Sequence, residues 1–193
     1  MNRIIKNDTF VKKRGLMDFM AIAQMRQSDR SYLSTPVEQV KLDRIMECAR
    51  LAPSACNAQP WKFIVVNDPE LKQQVAEAAK GLGMNKWAVQ APVIIVAVEE
   101  RPNLSSMAGG LVKNKHFPLI DMGIATEHIC LAAAAEGLGT CIMGWFDEKK
   151  IRILLNVPNK KRITLLISLG YPAKETRKKV RKDISEVVTY NAY

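Results

Sequence analysis

Apolar positions recur along the chain with two different periods. Leu42, Ile45, Met46, Ala49 and Ala52 follow a helical spacing behind Thr35-Pro36-Val37-Glu38. In that start Thr35 can cap, Pro36 suits a first turn and Glu38 can close a capping box. The helix is expected to stop before Pro53, because proline disfavours helical geometry in the residue that precedes it. Phe63-Ile64-Val65-Val66 is short and wholly apolar, which predicts a buried strand. Asp68-Pro69 predicts a second capped helix with Leu71, Val75 and Ala79 turned inward. Val93 to Val98 is the clearest strand. Glu99 to Pro118, with its Pro, Asn, Ser and Gly, reads as a loop.

From Asp121 to Glu136 polar surface almost vanishes. Met122, Ile124, Ala125, Ile129, Leu131 and the alanines 132–135 predict a helix lying deep in a core or in a subunit interface, ended by Gly137 and Gly139. Thr140 to Met143 reads as a strand, Asp147 as the cap of a short helix through Leu155, and Ile163 to Leu169 as the last core strand before Gly170-Tyr171-Pro172. Helix–strand alternation alone suggests a three-layer α/β domain, but it shows neither strand order nor direction. No repeat, low-complexity segment or linker divides the chain. Residues 1–16, mixed polar and basic, are expected to be a flexible arm ahead of one domain over 17–193. Met17 is an alternative start.

Composition narrows the class. The chain has 193 residues, 48% of them hydrophobic and 25% charged, which excludes disordered and collagen-like classes. No apolar run approaches the ~20 residues that a membrane-spanning helix needs. The net charge is +10. Nucleic acid is the first partner that such a number suggests. No nucleic-acid motif accompanies it, however, and the cations are not interleaved with aromatic stacking residues. The excess is concentrated from Lys149 to Lys182, where Glu175 is the lone acid. That pattern suits either a solvated face or a site for a compact anion such as a ligand phosphate. Cys48, Cys56, Cys130 and Cys141 have no Cys-x-x-Cys spacing, and His116 and His128 are the only histidines. A metal site and a disulfide scaffold are therefore not expected. Scattered single cysteines without an apolar leader lead to the expectation of a cytoplasmic protein.

The standard catalytic sets are absent: there is no Gly-x-Ser-x-Gly, no phosphate-loop lysine motif and no His-Glu-x-x-His. His128 reads as a core or interface histidine and His116 as a loop residue. A chain so poor in acid–base groups, if an enzyme, borrows its chemistry from a cofactor. Three segments stand out. Arg26-Gln27-Ser28-Asp29-Arg30 puts guanidinium forks around a hydroxyl, a combination suited to phosphate oxygens. Pro53-Ser54-Ala55-Cys56-Asn57-Ala58-Gln59-Pro60-Trp61 offers small residues and amides that can read the edge of a flat polar ring. Within it Cys56 reads as a small packing residue and Trp61 as a structural anchor. Gly137-Leu138-Gly139-Thr140-Cys141-Ile142-Met143-Gly144-Trp145-Phe146-Asp147 leaves backbone N–H groups open at Gly144.

Read together, these segments resemble the nitroreductase family of FMN-dependent oxidoreductases, over about Ala23 to Val188. The resemblance implies an α+β fold, a largely antiparallel central sheet flanked by helices, in an intertwined homodimer with FMN at the interface. It implies that Arg26, Gln27, Ser28 and Arg30 hold the FMN phosphate and ribityl chain, with Arg30 also near the pyrimidine edge. Ser54, Ala55 and Asn57 would reach the flavin of the partner subunit. Met143 and Gly144 would pack at the flavin N5 edge, and Lys179 and Arg181 would meet the phosphate. No side chain is then a dedicated catalytic acid or base. The implied activity is transfer of electrons from NADH or NADPH to nitroaromatic, quinone or related acceptors by a ping-pong mechanism, with no nucleic acid and no membrane as partner.

The chain departs from the family pattern at Gln27, where an arginine is frequent, and at Asp29, a negative charge that is expected to point away from the phosphate. The short Glu99–Pro118 stretch implies an open site. Met84-Asn85-Lys86-Trp87 is a further stretch suited to a flavin-edge contact. The same fold also serves flavin cleavage or dehydrogenation of a biosynthetic intermediate, and these readings stay open beside electron transfer to nitro compounds.

Overall fold

The two most apolar strands of the sequence become the middle pair of one sheet. A computed structural model describes residues 18–193, so the arm expected over 1–16 lies outside the described residues. In chain order the elements are α1 (Phe19–Met25), α2 (Gln39–Arg50), β1 (Trp61–Val66), α3 (Pro69–Ala79), β2 (Val93–Glu99), α4 (Leu104–Lys113), α5 (Phe117–Ala135), β3 (Gly139–Met143), α6 (Glu148–Leu154) and β4 (Arg162–Gly170). Single 3₁₀ turns occupy Ala55–Asn57, Gly81–Gly83, Lys86–Gln90 and Ile184–Glu186. The sheet order is β1-β2-β4-β3 and every neighbouring pair is antiparallel. The fold is thus α+β, as the resemblance implied, and not the parallel arrangement that alternation alone would favour.

Both faces of the sheet are covered. Ile94, Val96 and Val98 of β2 face α3 and α6, where Val75, Ala79 and Ile151 complete one core. Val93 and Ile95 face α2 and α5, against Leu42, Ile45, Ile129 and Ala133. This is why β2 reads as an unbroken apolar run rather than an alternating one. A bulge between Ala97 and Val98 shifts the register against β4. It lets Ile163 and Leu166, which have opposite parity, serve the same core.

Several local expectations hold. Asp68 Oδ1 accepts the Leu71 N–H (2.8 Å), with Pro69 at the start of α3. Asp147 Oδ1 accepts the Lys150 N–H (3.0 Å) at the start of α6. Others are corrected. The expected cap at Thr35 is not used: α2 begins at Gln39 behind Glu38, which makes no side-chain cap. The Glu38 carboxylate is instead drawn to Tyr171, whose hydroxyl donates to it (2.7 and 2.9 Å), and to Lys41. Tyr171 holds the Glu38 carboxyl below the usual carboxylate range.

The stretch 99–118 is not a loop. It contains α4, capped by Asn103, whose Oδ1 accepts the Ser106 N–H (2.9 Å). Its glycines suggested a turn, but Gly110 answers a close approach: a Cβ there would lie 2.8 Å from the Lys115 carbonyl oxygen. The open site inferred from a short loop therefore loses its basis. α5 begins at Phe117, four residues earlier than expected, with Pro118 in its first turn. It is long and apolar enough for a membrane span by composition. Yet it is a core helix, with Met122, Ala125, Ile129 and Ala133 buried.

Candidate functional site

α1 ends at Met25, with Arg26 as its cap, and the chain then runs along the end of β3. The Asp29 N–H donates to the Thr140 carbonyl (2.8 Å), and Ser28 forms a parallel bridge to Thr140. These contacts fix residues 26–30 as a ledge. The basic tail returns beside it. Arg177 Nη2 donates to the Ser28 carbonyl (2.9 Å), and Lys179 Nζ donates to the Arg26 carbonyl. A cavity of about 330 Å³ opens between ledge and tail, lined by Arg26, Gln27, Ser28, Arg30, Arg177, Lys178, Lys179, Val180 and Arg181. Its lining holds many cations and no carboxylate. Among the described residues the one ion pair to these cations comes from Glu127 of α5, 3.4 Å from Arg26 Nε. Burial, and then repulsion from Arg26 and Arg181, pushes the Lys179 ammonium below its ordinary value. A bound anion would relieve that repulsion.

Asp29 itself is 8% exposed and turned against β3. Burial raises its carboxyl above its ordinary value, against the opposing effects of Gln27, Arg177 and Arg26.

Arg30 reaches the other side of the ledge. Its guanidinium lies over the Trp87 ring, 5.2 Å from the centroid. Met143 is buried on β3, and at the following Gly144 a Cβ would meet nothing within 4 Å. The backbone there borders open space, as a flat ligand would require. Asn85 braces this loop from below: its Nδ2 donates to the Trp145 carbonyl (2.7 Å) and to the Ala79 carbonyl (3.1 Å). Asn85 is buried and sits in the left-handed region (φ 50°), a conformation that asparagine tolerates. Within the Met84–Trp87 stretch, Asn85 thus turns inward as a strut, and Trp87 lies beneath Arg30. Trp87 Nε1 is buried without a hydrogen-bond partner.

Ser54, Ala55 and Asn57 form a separate, tightly wound turn. Cys56, Asn57 and Gln59 all have positive φ (52°, 50° and 47°). Ser54 Oγ accepts the Gln59 N–H (2.9 Å), Asp121 Oδ1 accepts the Ala55 N–H (3.1 Å), and Asn103 Nδ2 donates to the Cys56 carbonyl (2.9 Å). Cys56, expected to pack, is exposed, in a turn whose backbone is left-handed at that residue. Among the described residues no hydrogen bond or ion pair joins this turn to the ledge or the tail. These residues therefore form a second group, half-exposed at Ser54 and Ala55 and exposed at Asn57.

His116 Nε2 lies 2.9 Å from Glu99 Oε1 at the surface, and half-buried His128 donates from Nδ1 to the Ile124 carbonyl (2.9 Å) within α5. Among the described residues no cluster of His, Cys, Asp or Glu is arranged to hold a metal ion.

The structure thus brings Arg26, Gln27, Ser28 and Arg30 together with Lys179 and Arg181, and sets Met143 and Gly144 on the adjacent strand end. Two contributors were not legible in the sequence. Arg177 is one cation in a basic run without periodicity. Asp121 is a carboxylate inside an otherwise apolar helix, and that isolation is the one signal that could have marked it.

Comparison with known proteins fits this arrangement. A family model described as the nitroreductase family matches residues 23–171. The chain is 30% identical over 201 residues to an NADH dehydrogenase of Thermus thermophilus, covering 91% of this chain and 97% of that protein. It is 28% identical over 209 residues to an oxygen-insensitive NADPH nitroreductase of Helicobacter pylori, covering 93% and 96%. Among solved structures, an FMN-dependent nitroreductase from Clostridium difficile superposes with a TM-score of 0.72 at 30% identity, over 90% of this chain and 99% of that one.

Proposed function

We propose, from the premise that this chain belongs to the nitroreductase family, that it is an FMN-dependent oxidoreductase that draws electrons from NADH or NADPH. Its acceptors on this reading are nitroaromatics, quinones or related compounds. The observation that carries it is the cationic cavity between ledge and tail, whose lining holds no carboxylate; the backbone at Gly144 also borders open space. An FMN phosphate suits the first feature and a planar ring the second.

Bound FMN would supply the redox chemistry, taking hydride from a nicotinamide and passing electrons to the acceptor. The chain's part is binding and electrostatics. Arg26, Lys179 and Arg181 would hold the phosphate, each charge-assisted hydrogen bond contributing about 1.5–3 kcal/mol. Arg30, steadied on Trp87, would stabilise negative charge at the pyrimidine edge. The backbone at Gly144, braced by Asn85, would orient the opposite edge. Ser54, Ala55 and Asn57 do not line their own chain's cavity, which suits service to a partner's flavin in a homodimer. Donor and acceptor would occupy one exposed face in turn, which gives ping-pong kinetics.

The absorbance spectrum of the purified chain is the first test, with flavin bands expected. Arg26→Ala combined with Arg181→Ala should then yield mostly apoprotein. A double variant that keeps full flavin occupancy would overturn the phosphate assignment. Parallel double-reciprocal lines for NADH or NADPH against a nitroaromatic and a quinone are expected, and converging lines would reject the shared face.

A further inference from the structure

Asp29, Gln27 and Arg177 form a chain of directed hydrogen bonds at the mouth of the cationic cavity. Gln27 Nε2 donates to Asp29 Oδ1 (2.9 Å) and to the Glu175 carbonyl (3.3 Å). Gln27 Oε1 accepts from the Arg177 backbone N–H (3.1 Å) and from Arg177 Nε (3.2 Å). Two acceptors on one side and two donors on the other fix which way the amide faces. Arg177 Nη2 is tied to the Ser28 carbonyl. A guanidinium carries more N–H donors than these contacts use.

Arg177 lines the 330 Å³ cavity and, with Gln27, Ser28 and Arg30, also a smaller one of about 170 Å³ beside it. Among the described residues it has no carboxylate within ion-pair distance, whereas Arg26 is partly engaged by Glu127. Arg177 is thus a cation whose side chain is anchored at two points, near Asp29 but not paired with it.

We propose that Arg177 is a further phosphate ligand of the bound mononucleotide, and that Gln27 and Asp29 are positioning residues that aim it. The inference rests on the FMN reading above. It explains a neutral residue at 27 and an acid at 29 in a stretch otherwise suited to phosphate. The carboxylate orients the amide, and the amide carbonyl holds a guanidinium supplied from 150 residues away. A second cation at position 27 would repel Arg177 from the place that the amide gives it.

The test is the ratio of affinities for FMN and riboflavin, which differ only in the phosphate. The full chain, stripped of flavin, is titrated with each, read by flavin fluorescence. Arg177→Gln should lower FMN affinity ~10-fold or more, the scale of one charge-assisted contact, and leave riboflavin affinity unchanged. Adding Gln27→Arg to Arg177→Gln should restore most of the loss, because a cation returns from the ledge side. Gln27→Ala should lower the ratio in the wild-type chain but have no further effect once Arg177 is gone, as expected of a residue that acts through another.

Equal losses for both ligands, or no loss for either, would overturn the proposal. Should Arg177→Gln fail to fold, Arg177→Met keeps the aliphatic stem and removes the charge, and a wild-type ratio in that variant overturns the proposal. A wild-type chain that binds riboflavin as tightly as FMN would instead sink the underlying phosphate reading. An FMN-to-riboflavin ratio that stays at the wild-type value through every change at 177 sinks this inference alone.

Discussion

The Asp29 carboxylate lies against the Cα of Gly139: a Cβ built there would sit 2.5 Å from Oδ2 and 2.7 Å from Cγ. The same carboxylate holds Gln27 by a 2.9 Å hydrogen bond. The absence of a side chain at Gly139 is therefore what allows an acid to sit against β3 beneath the ledge. Gly139→Ala must displace the buried acid or the strand. A loss of about 1–3 kcal/mol is expected, the usual range for overpacking, measured by urea denaturation. Wild-type stability in that variant would mean that Asp29 can settle elsewhere without cost.

Asn85 gives a second, separable prediction. Asn85→Gly keeps access to the left-handed backbone but removes the contacts to Ala79 and Trp145, and should cost about 1–2 kcal/mol. Asn85→Ala loses the same contacts and adds backbone strain, so it should cost roughly 1 kcal/mol more. Trp145 is already 55% exposed, and its loop should loosen in both variants, visible as faster hydrogen exchange at residues 144–147. Equal stability of the alanine and glycine variants would contradict the strain at this position.

Two carboxylates should show opposite pH signatures. The native Asp29 carboxyl is raised, chiefly by burial. Between the unfolded value and that raised value the folded state holds a proton that the unfolded chain has released. Stability relative to Asp29→Asn therefore falls as pH rises through this window. Glu136 is lowered, chiefly by its hydrogen bonds from Arg44 (both 2.7 Å). Its contribution is present above the ordinary glutamate value and is lost as pH falls through the native one. Denaturation curves from about pH 3 to pH 7, with Asp29→Asn and Glu136→Gln as references, check both signs.

Salt should act on one ligand and not the other. The cations around the cavity are partly exposed, so raising NaCl from about 50 mM to about 500 mM should weaken FMN binding several-fold through screening. Riboflavin, lacking the phosphate, should be nearly indifferent. An equal response of the two ligands would show that the cations do not act on the phosphate.

Where the local chain decides, the sequence was legible. Asp68-Pro69 and Asp147 start helices because a carboxylate two or three residues ahead can satisfy an N–H with no help from afar. β2 and β4 were visible as apolar runs because both of their faces are buried. Expectation failed where distant groups intervene. Glu38 serves Tyr171, 133 residues away, rather than a capping box. Gly110 of α4 makes room for the Lys115 carbonyl rather than a turn.

The sequence by itself determined the alternation of buried helices and strands, the residues that form the two cores, and a family resemblance resting on three short segments. These follow from hydrophobic periodicity and local hydrogen bonding, which act over a few residues. Strand direction, the convergence of the ledge on the tail, and the choice of Arg177 from a run of basic residues were decided only in the folded chain. Apolar burial has no direction, and a cation's position in sequence does not fix which cavity it faces. Hydrogen bonds spanning 148 to 153 residues settle that.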